Sequence, residues 1–258
     1  MAYPKIYSKN FLTGDCIIEV TSGDTLKSYL YDQKKTPQWQ SSGETSESGA
    51  YSCQITIDFM TDSYSPYSIN RTFDTLILVN TNLKKFKLQY WNGSTFVDIT
   101  ETITTNNASD FVIIDFSTAP VSSEKVRLCM DSTFSPAGQE KKIGELWIMD
   151  YKFTLTNLLI GYDRQDWVKE GKYRLADGTL ETWEEVSKFS LNQSLRNVGK
   201  TLRDNLKDLK EEYDNFTIYP DSDEWEDDLF LIFWINNWQE SYDWKTDLYT
   251  IQFSIEEK

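Results

Sequence analysis

The side chains able to do chemistry in this chain are mostly carboxylates. Its 258 residues carry 41 acidic and 26 basic side chains, three cysteines and no histidine. Two carboxylates could serve as acid and base on a glycosidic bond, but that chemistry depends on a separation in space that sequence spacing does not reveal. Triad chemistry lacks its histidine, and neither a phosphate-binding glycine loop nor a dinucleotide fingerprint is present. Cys16, Cys53 and Cys129 are far apart and lack the paired spacing of a zinc site. Cys53 and Cys129 fall in alternating apolar runs and read as buried free thiols in strands. Binding or assembly is therefore expected rather than catalysis, with no cofactor required.

A second group able to act is aromatic. Residues 223–244 concentrate Trp225, Trp234, Trp238 and Trp244 with Phe230, Phe233 and Tyr242 among acids. Four tryptophans exceed what the inner face of one strand needs, and aromatics are enriched at the centres of protein interfaces. Trp225, Trp234, Trp238, Tyr242 and Trp244 are thus a candidate assembly surface, the other reading being a locally aromatic core. The net charge of -15 argues against a nucleic-acid partner. No apolar run approaches a membrane span, and the amino terminus lacks a basic start followed by an apolar core, so synthesis in a cytoplasm without a signal peptide is expected. Charge divides unevenly, with net -5 over residues 1–150 and net -10 over 151–258, which suits two units with different surfaces or simply a solvated acidic face.

Short strands separated by turn signals position these groups. Residues 5–12, 16–20 and 26–31 lean toward strand, and residues 32–52 are a polar loop with Trp39 as anchor. Cys53, Ile55, Ile57 and Phe59 alternate with polar neighbours, as a strand with one buried face does. Residues 73–99 read as three strands: the continuous run Leu76 to Val79, then Phe86, Leu88 and Tyr90, then Phe96, Val97 and Ile99. The last two are joined by Trp91-Asn92-Gly93-Ser94, a hairpin signal. Strands at 111–116, around Arg127 and at 143–148 complete a pattern that favours an antiparallel sandwich or jelly roll over residues 1–150.

The series resembles the discoidin, or F5/8 type C, branch of the galactose-binding-like β-sandwiches. Tyr31-Asp32 through Gln38-Trp39 keep that family's spacing between an early Asp and a Trp. The strand ending at Asn80, the hairpin over residues 82–99, the strand centred on Arg127 and Gly144-Glu145-Leu146 follow in its order. The resemblance implies a calcium site with Asp32 and Glu145 as ligands, although Asp32-Gln33-Lys34 stands where the family commonly has Asp-Gly-Asp. Otherwise Asp32 caps a turn and Glu145 pairs with Arg127 or Lys142. It also implies glycan binding on loops at one end of the sandwich, for which Trp39, Tyr64, Tyr67, Arg71, Trp91 and Asn92 are the candidates; Trp39 equally suits the sandwich core. The histidine frequent in that family's glycan sites is absent.

Residues 151–258 differ in character. Leu195, Val198, Leu202, Leu206, Leu209, Tyr213 and Phe216 recur every three or four residues, predicting an amphipathic helix over about 194–215 capped by Ser194. With strands at 173–179, 186–191, 216–219, 229–235 and 248–255 this makes a smaller α+β domain suited to docking. The whole chain is mainly β. Its architecture resembles structural proteins of tailed bacteriophages, which implies a non-enzymatic virion component of the tail or baseplate that assembles with itself and other virion proteins. The alternative is a carbohydrate-binding module contacting host-surface glycans.

Overall fold

The computed structural model describes residues 4–32, 37–60, 67–134, 136–155, 167–174, 180–188, 190–212, 215–219 and 230–257. It is mainly β and divides into two units, Asn10–Tyr151 and a second made of Met1–Lys9 with Lys152–Lys258.

The first unit is an antiparallel sandwich. Its larger sheet orders Ile17–Val20, Cys53–Asp58, Lys125–Thr133, Leu83–Trp91 and Phe96–Asp98; its smaller sheet orders Glu145–Met149, Thr75–Val79 and Val112–Asp115. The period-two pattern explains the layering. Ile55, Ile57, Phe86, Leu88, Val126, Leu128 and Met130 point inward and are buried against Leu76, Leu78, Leu146 and Ile148 of the other sheet. Each such fully buried aliphatic contributes about 1.5–3 kcal/mol relative to exposure. Thr75–Val79 is buried at every position, which accounts for its unbroken apolar run. The predicted strand at 143–148 is two, Lys142–Ile143 and Glu145–Met149, because Gly144 turns its N–H to the carbonyls of Val79 (2.9 Å) and Asn80 (3.2 Å).

One expectation in this stretch changes. Residues 24–30 form a 3-10 helix, Asp24–Leu30, rather than a strand. Gly23 before it sits at φ 75°, and a Cβ there would lie 2.2 Å from the Gln40 carbonyl oxygen, so this tight entry requires glycine. The polar loop after Trp39 is well tethered. Lys141, fully buried, donates from Nζ to the carbonyls of Ser46 (2.7 Å) and Glu44 (3.2 Å). Glu47 accepts from the backbone N–H of Gly138 (2.7 Å), and Asp131 from that of Gly49 (2.6 Å).

The second unit is a six-stranded sheet ordered Tyr151–Thr154, Lys5–Tyr7, Asn215–Tyr219, Phe230–Asp243, Leu248–Glu257 and Ser190–Val198. Lys5–Tyr7 pairs antiparallel with Asn215–Tyr219 and buries Ile6 beside Ile218, so residues 1–9 belong here rather than with the sandwich to which a boundary at 150 assigned them. The helix is Lys200–Glu212, shorter than the predicted 194–215. Ser194 is no cap: it lies in a strand opposite Gln252. A register shift between Leu195 and Val198, with Asn197 at φ 58°, brings both apolar residues to the buried face. A bulge thus mimics the three-residue helical spacing, which explains the misreading. The helix itself buries Leu206 and Leu209 against Phe216, Ile251 and Phe253.

Candidate functional site

The inward alternation of the larger sheet leaves its other face populated by polar and aromatic side chains. In register across it, Glu19 stands opposite Thr56, Thr56 opposite Arg127, Arg127 opposite Gln89, and Gln89 opposite Asp98. The adjoining row includes Ile17, Asp58, Lys125, Trp91 and Phe96. Between the two rows lies a concavity of about 420 Å3, within the range of small-molecule sites.

Its geometry is built around Arg127. The guanidinium carbon lies 3.7 Å above the Phe96 ring, and Nε donates to Thr56 Oγ1 at 3.1 Å. Trp91 tilts against Phe96 with ring centroids 5.2 Å apart. Lys125 and Asp58 form an ion pair on the other flank, in which Asp58 Oδ1 has no hydrogen-bond partner. Further along the face, Asp98 accepts from Gln89 Nε2 (2.7 Å) and Lys87 Nζ (2.9 Å), and these bonds hold its carboxyl below the usual range. Cys129 donates its thiol to Gln89 Oε1 at 3.2 Å, and burial pushes that thiol up to about 11. It is a neutral packing group rather than a nucleophile. The face offers aromatic planes, a planar cation and carboxylates, which is recognition chemistry.

The residues nominated from sequence for glycan contact separate. Trp91 lines the concavity. Asn92 shapes the hairpin, its Oδ1 accepting from the N–H groups of Ser94 (3.0 Å) and Thr95 (2.9 Å), while Gly93 supplies the positive φ of 95°. Trp39 is fully buried, with Nε1 donating to the Gly23 carbonyl at 3.2 Å, and so belongs to the core. Arg71 covers the Phe11 ring at 5.5 Å, and Tyr67 is 75% exposed; neither borders the concavity. Tyr64 lies outside the described residues. Phe96, Arg127, Asp58, Lys125 and Glu19 were missed. Alternation around Arg127 marks it as outward-facing, but the register that brings it to Phe96 is not written in either strand.

Glu145 is 3% exposed, and neither carboxylate oxygen has a hydrogen-bond partner. Burial first, and the charge of Asp32 second, push its carboxyl up to about 8; the Trp147 indole, close by but outside hydrogen-bond geometry, pulls modestly the other way. It pairs with neither Arg127, which stacks on Phe96, nor Lys142, whose pairing was the alternative expectation. Two carboxylates, one buried and unpartnered, suit an oxygen-liganded cation such as calcium. Among the described residues no group of three His, Cys, Asp or Glu could hold a metal, so further ligands would have to be carbonyls or water.

In the second unit Trp238 is half-buried, stacked on Phe253 at 6.2 Å with Lys210 over its ring. Tyr242 and Trp244 are 52% and 76% exposed near the end of the hairpin formed by Phe230–Asp243 and Leu248–Glu257. Trp225 and the side chain of Trp234 lie outside the described residues. Residues 236–243, which lie between the strands expected at 229–235 and 248–255, continue the strand Phe230–Asp243.

Neither a protein-family description nor a curated protein matches the sequence. Among solved structures, similar chains include the family 32 carbohydrate-binding module of Clostridium perfringens NanJ in complex with galactose. It shares 12% identity, with 57% of this chain and 99% of that one covered, at a TM-score of 0.40. The family 32 module of Streptococcus pneumoniae EndoD shares 14% identity over 55% of this chain and 99% of its own, at 0.41. A chitosan-binding module from a Paenibacillus chitosanase/glucanase shares 14% over 54% and 97%, also at 0.41.

Proposed function

We propose that the unit Asn10–Tyr151 is a non-catalytic glycan-binding module whose ligand lies on the outer face of the larger sheet. The observation that carries this reading is the concavity in which Trp91 and Phe96 flank Arg127. Aromatic planes stack on the apolar faces of sugar rings, while a fixed guanidinium, Thr56 and the exposed Glu19 carboxylate hydrogen-bond hydroxyls. A structural calcium ion held in part by Asp32 and Glu145 accompanies it, neutralising the buried acid. Glycan-array screening followed by calorimetry tests the reading. Trp91→Ala, in a protein of unchanged fold, is expected to weaken binding at least tenfold, and Tyr67→Ala to leave it unchanged. Full affinity in Trp91→Ala would remove this face from consideration.

A second reading, a structural part of a phage virion that assembles with itself and with other virion proteins, draws on the exposed Tyr242 and Trp244 of the second unit. It predicts oligomers in sedimentation that a Tyr242→Ser, Trp244→Ser double variant dissociates; a wild-type monomer at every concentration would count against it.

A further inference from the structure

Within the glycan reading, which it rests on, the geometry points to a ligand of narrower chemistry: we infer that the outer-face concavity takes a sugar bearing a carboxylate, which docks on the free edge of Arg127. Each of the other charges on this face except Glu19 is already committed. Lys125 is paired with Asp58, and Lys87 with Asp98. Arg127 spends Nε on Thr56 and its flat face on Phe96, and no carboxylate among the described residues lies within ion-pair distance of it. What is left is the pair of terminal nitrogens, Nη1 and Nη2, on a guanidinium whose plane and rotation are fixed from two sides.

That edge is a two-pronged donor of the spacing a carboxylate accepts, and such planar pairing is what distinguishes arginine from lysine. Holding the guanidinium by stacking and by Thr56 removes most of the rotamer freedom that binding would otherwise have to freeze. Trp91 and Phe96 then receive the sugar ring, and Glu19, on the far side of Thr56, accepts hydroxyl donors. A neutral sugar would leave the Nη edge without its best acceptor. Uronic and sialic acids both supply the carboxylate.

The test titrates the full chain, with calcium present, against tetragalacturonate and sialyllactose, each beside a neutral counterpart, the carboxyl-reduced tetramer and lactose. At least one acid sugar is expected to bind tenfold or more tightly than its counterpart, and which one does so identifies the source of the carboxylate. Arg127→Lys, which keeps the charge but loses the fork and the stack, should weaken the acid sugar at least tenfold more than its neutral counterpart and so abolish that preference. Thr56→Val, which removes the Nε acceptor, should reduce the preference for the acid sugar about threefold and guards against misfolding of the arginine variant. Equal affinity for acid and neutral sugars, or a preference that survives Arg127→Lys, overturns the inference while leaving glycan binding intact. Silence of all four sugars together with an empty glycan array removes both readings.

Discussion

Lys141 and Glu145 stand four residues apart and are buried to nearly the same degree, 0% and 3% exposed, yet the sandwich handles their charges differently. The ammonium finds two carbonyls of the loop before the second strand of the larger sheet, at 2.7 and 3.2 Å, and so fastens that loop from within. The carboxylate finds no donor and faces the charge of Asp32. A buried charge with its partners is a structural device; a buried charge without them raises its own energy until a proton or a cation arrives. Lys141 therefore needs nothing from solution, and Glu145 does.

The largest expected effect separates these two cases by pH. Because the carboxyl of Glu145 sits near 8 in the folded protein against an ordinary 4.5, the folded state binds the extra proton across that window. Its contribution is then most favourable below about 4.5 and is lost as pH rises toward 8, by an amount on the order of a few kcal/mol in cation-free buffer. Calcium should restore the loss and raise the melting temperature, as any ligand of the native state does. Glu145→Gln should flatten the slope and become insensitive to calcium. If calorimetric scans of the variant and the wild type show the same pH slope, the contrast with Lys141 is spurious.

Lys141→Met probes the other side. Removing the ammonium strands two loop carbonyls and is expected to cost about 1–3 kcal/mol by urea unfolding, with faster proteolysis within residues 41–50 and no change in calcium response. A calcium response that disappeared with Lys141 would mean the two charges act as one unit. A smaller effect is expected at Asp98, an acid that is satisfied by Gln89 and Lys87 but has a 38% exposed side chain. Its carboxyl is held below 3.8, so its stabilisation is present above that pH and fades as pH falls through the lowered value. Solvent screening limits Asp98→Asn to roughly 0.5 kcal/mol at neutral pH.

The strands were legible wherever burial has a plain period. Cys53 to Phe59 alternates as it reads, and the continuous run at Leu76 to Val79 is buried from both sides. Of the alternating run Phe86, Leu88 and Tyr90, the first two are fully buried on the inner face and Tyr90 is half-buried against the same core. Legibility failed where a local irregularity changes the period, as at Leu195 and Val198, or where a seven-residue 3-10 helix replaces a strand at Asp24–Leu30. It also failed for pairing across long sequence separation. Nothing in residues 5–7 announces that they join a strand more than two hundred residues away. The candidate site suffered in the same manner. Trp91 was found because it sits beside a turn, whereas Arg127 and Phe96 meet only through the register of three strands. Trp39 was nominated for contact because its segment is polar, and it is the Gly23 carbonyl behind it that allows the indole to be buried.

The central claim, a ligand on the outer face of the larger sheet, has a direct observable in the indole N–H signals of the tryptophans. Trp91 borders the concavity, while Trp39 is fully buried and bonded to Gly23, an internal control in the same unit. Titrating a bound glycan into 15N-labelled protein should move the Trp91 indole resonance saturably, with the midpoint matching the calorimetric affinity, and leave that of Trp39 in place. A glycan that binds while the Trp91 resonance stays still would contradict the account.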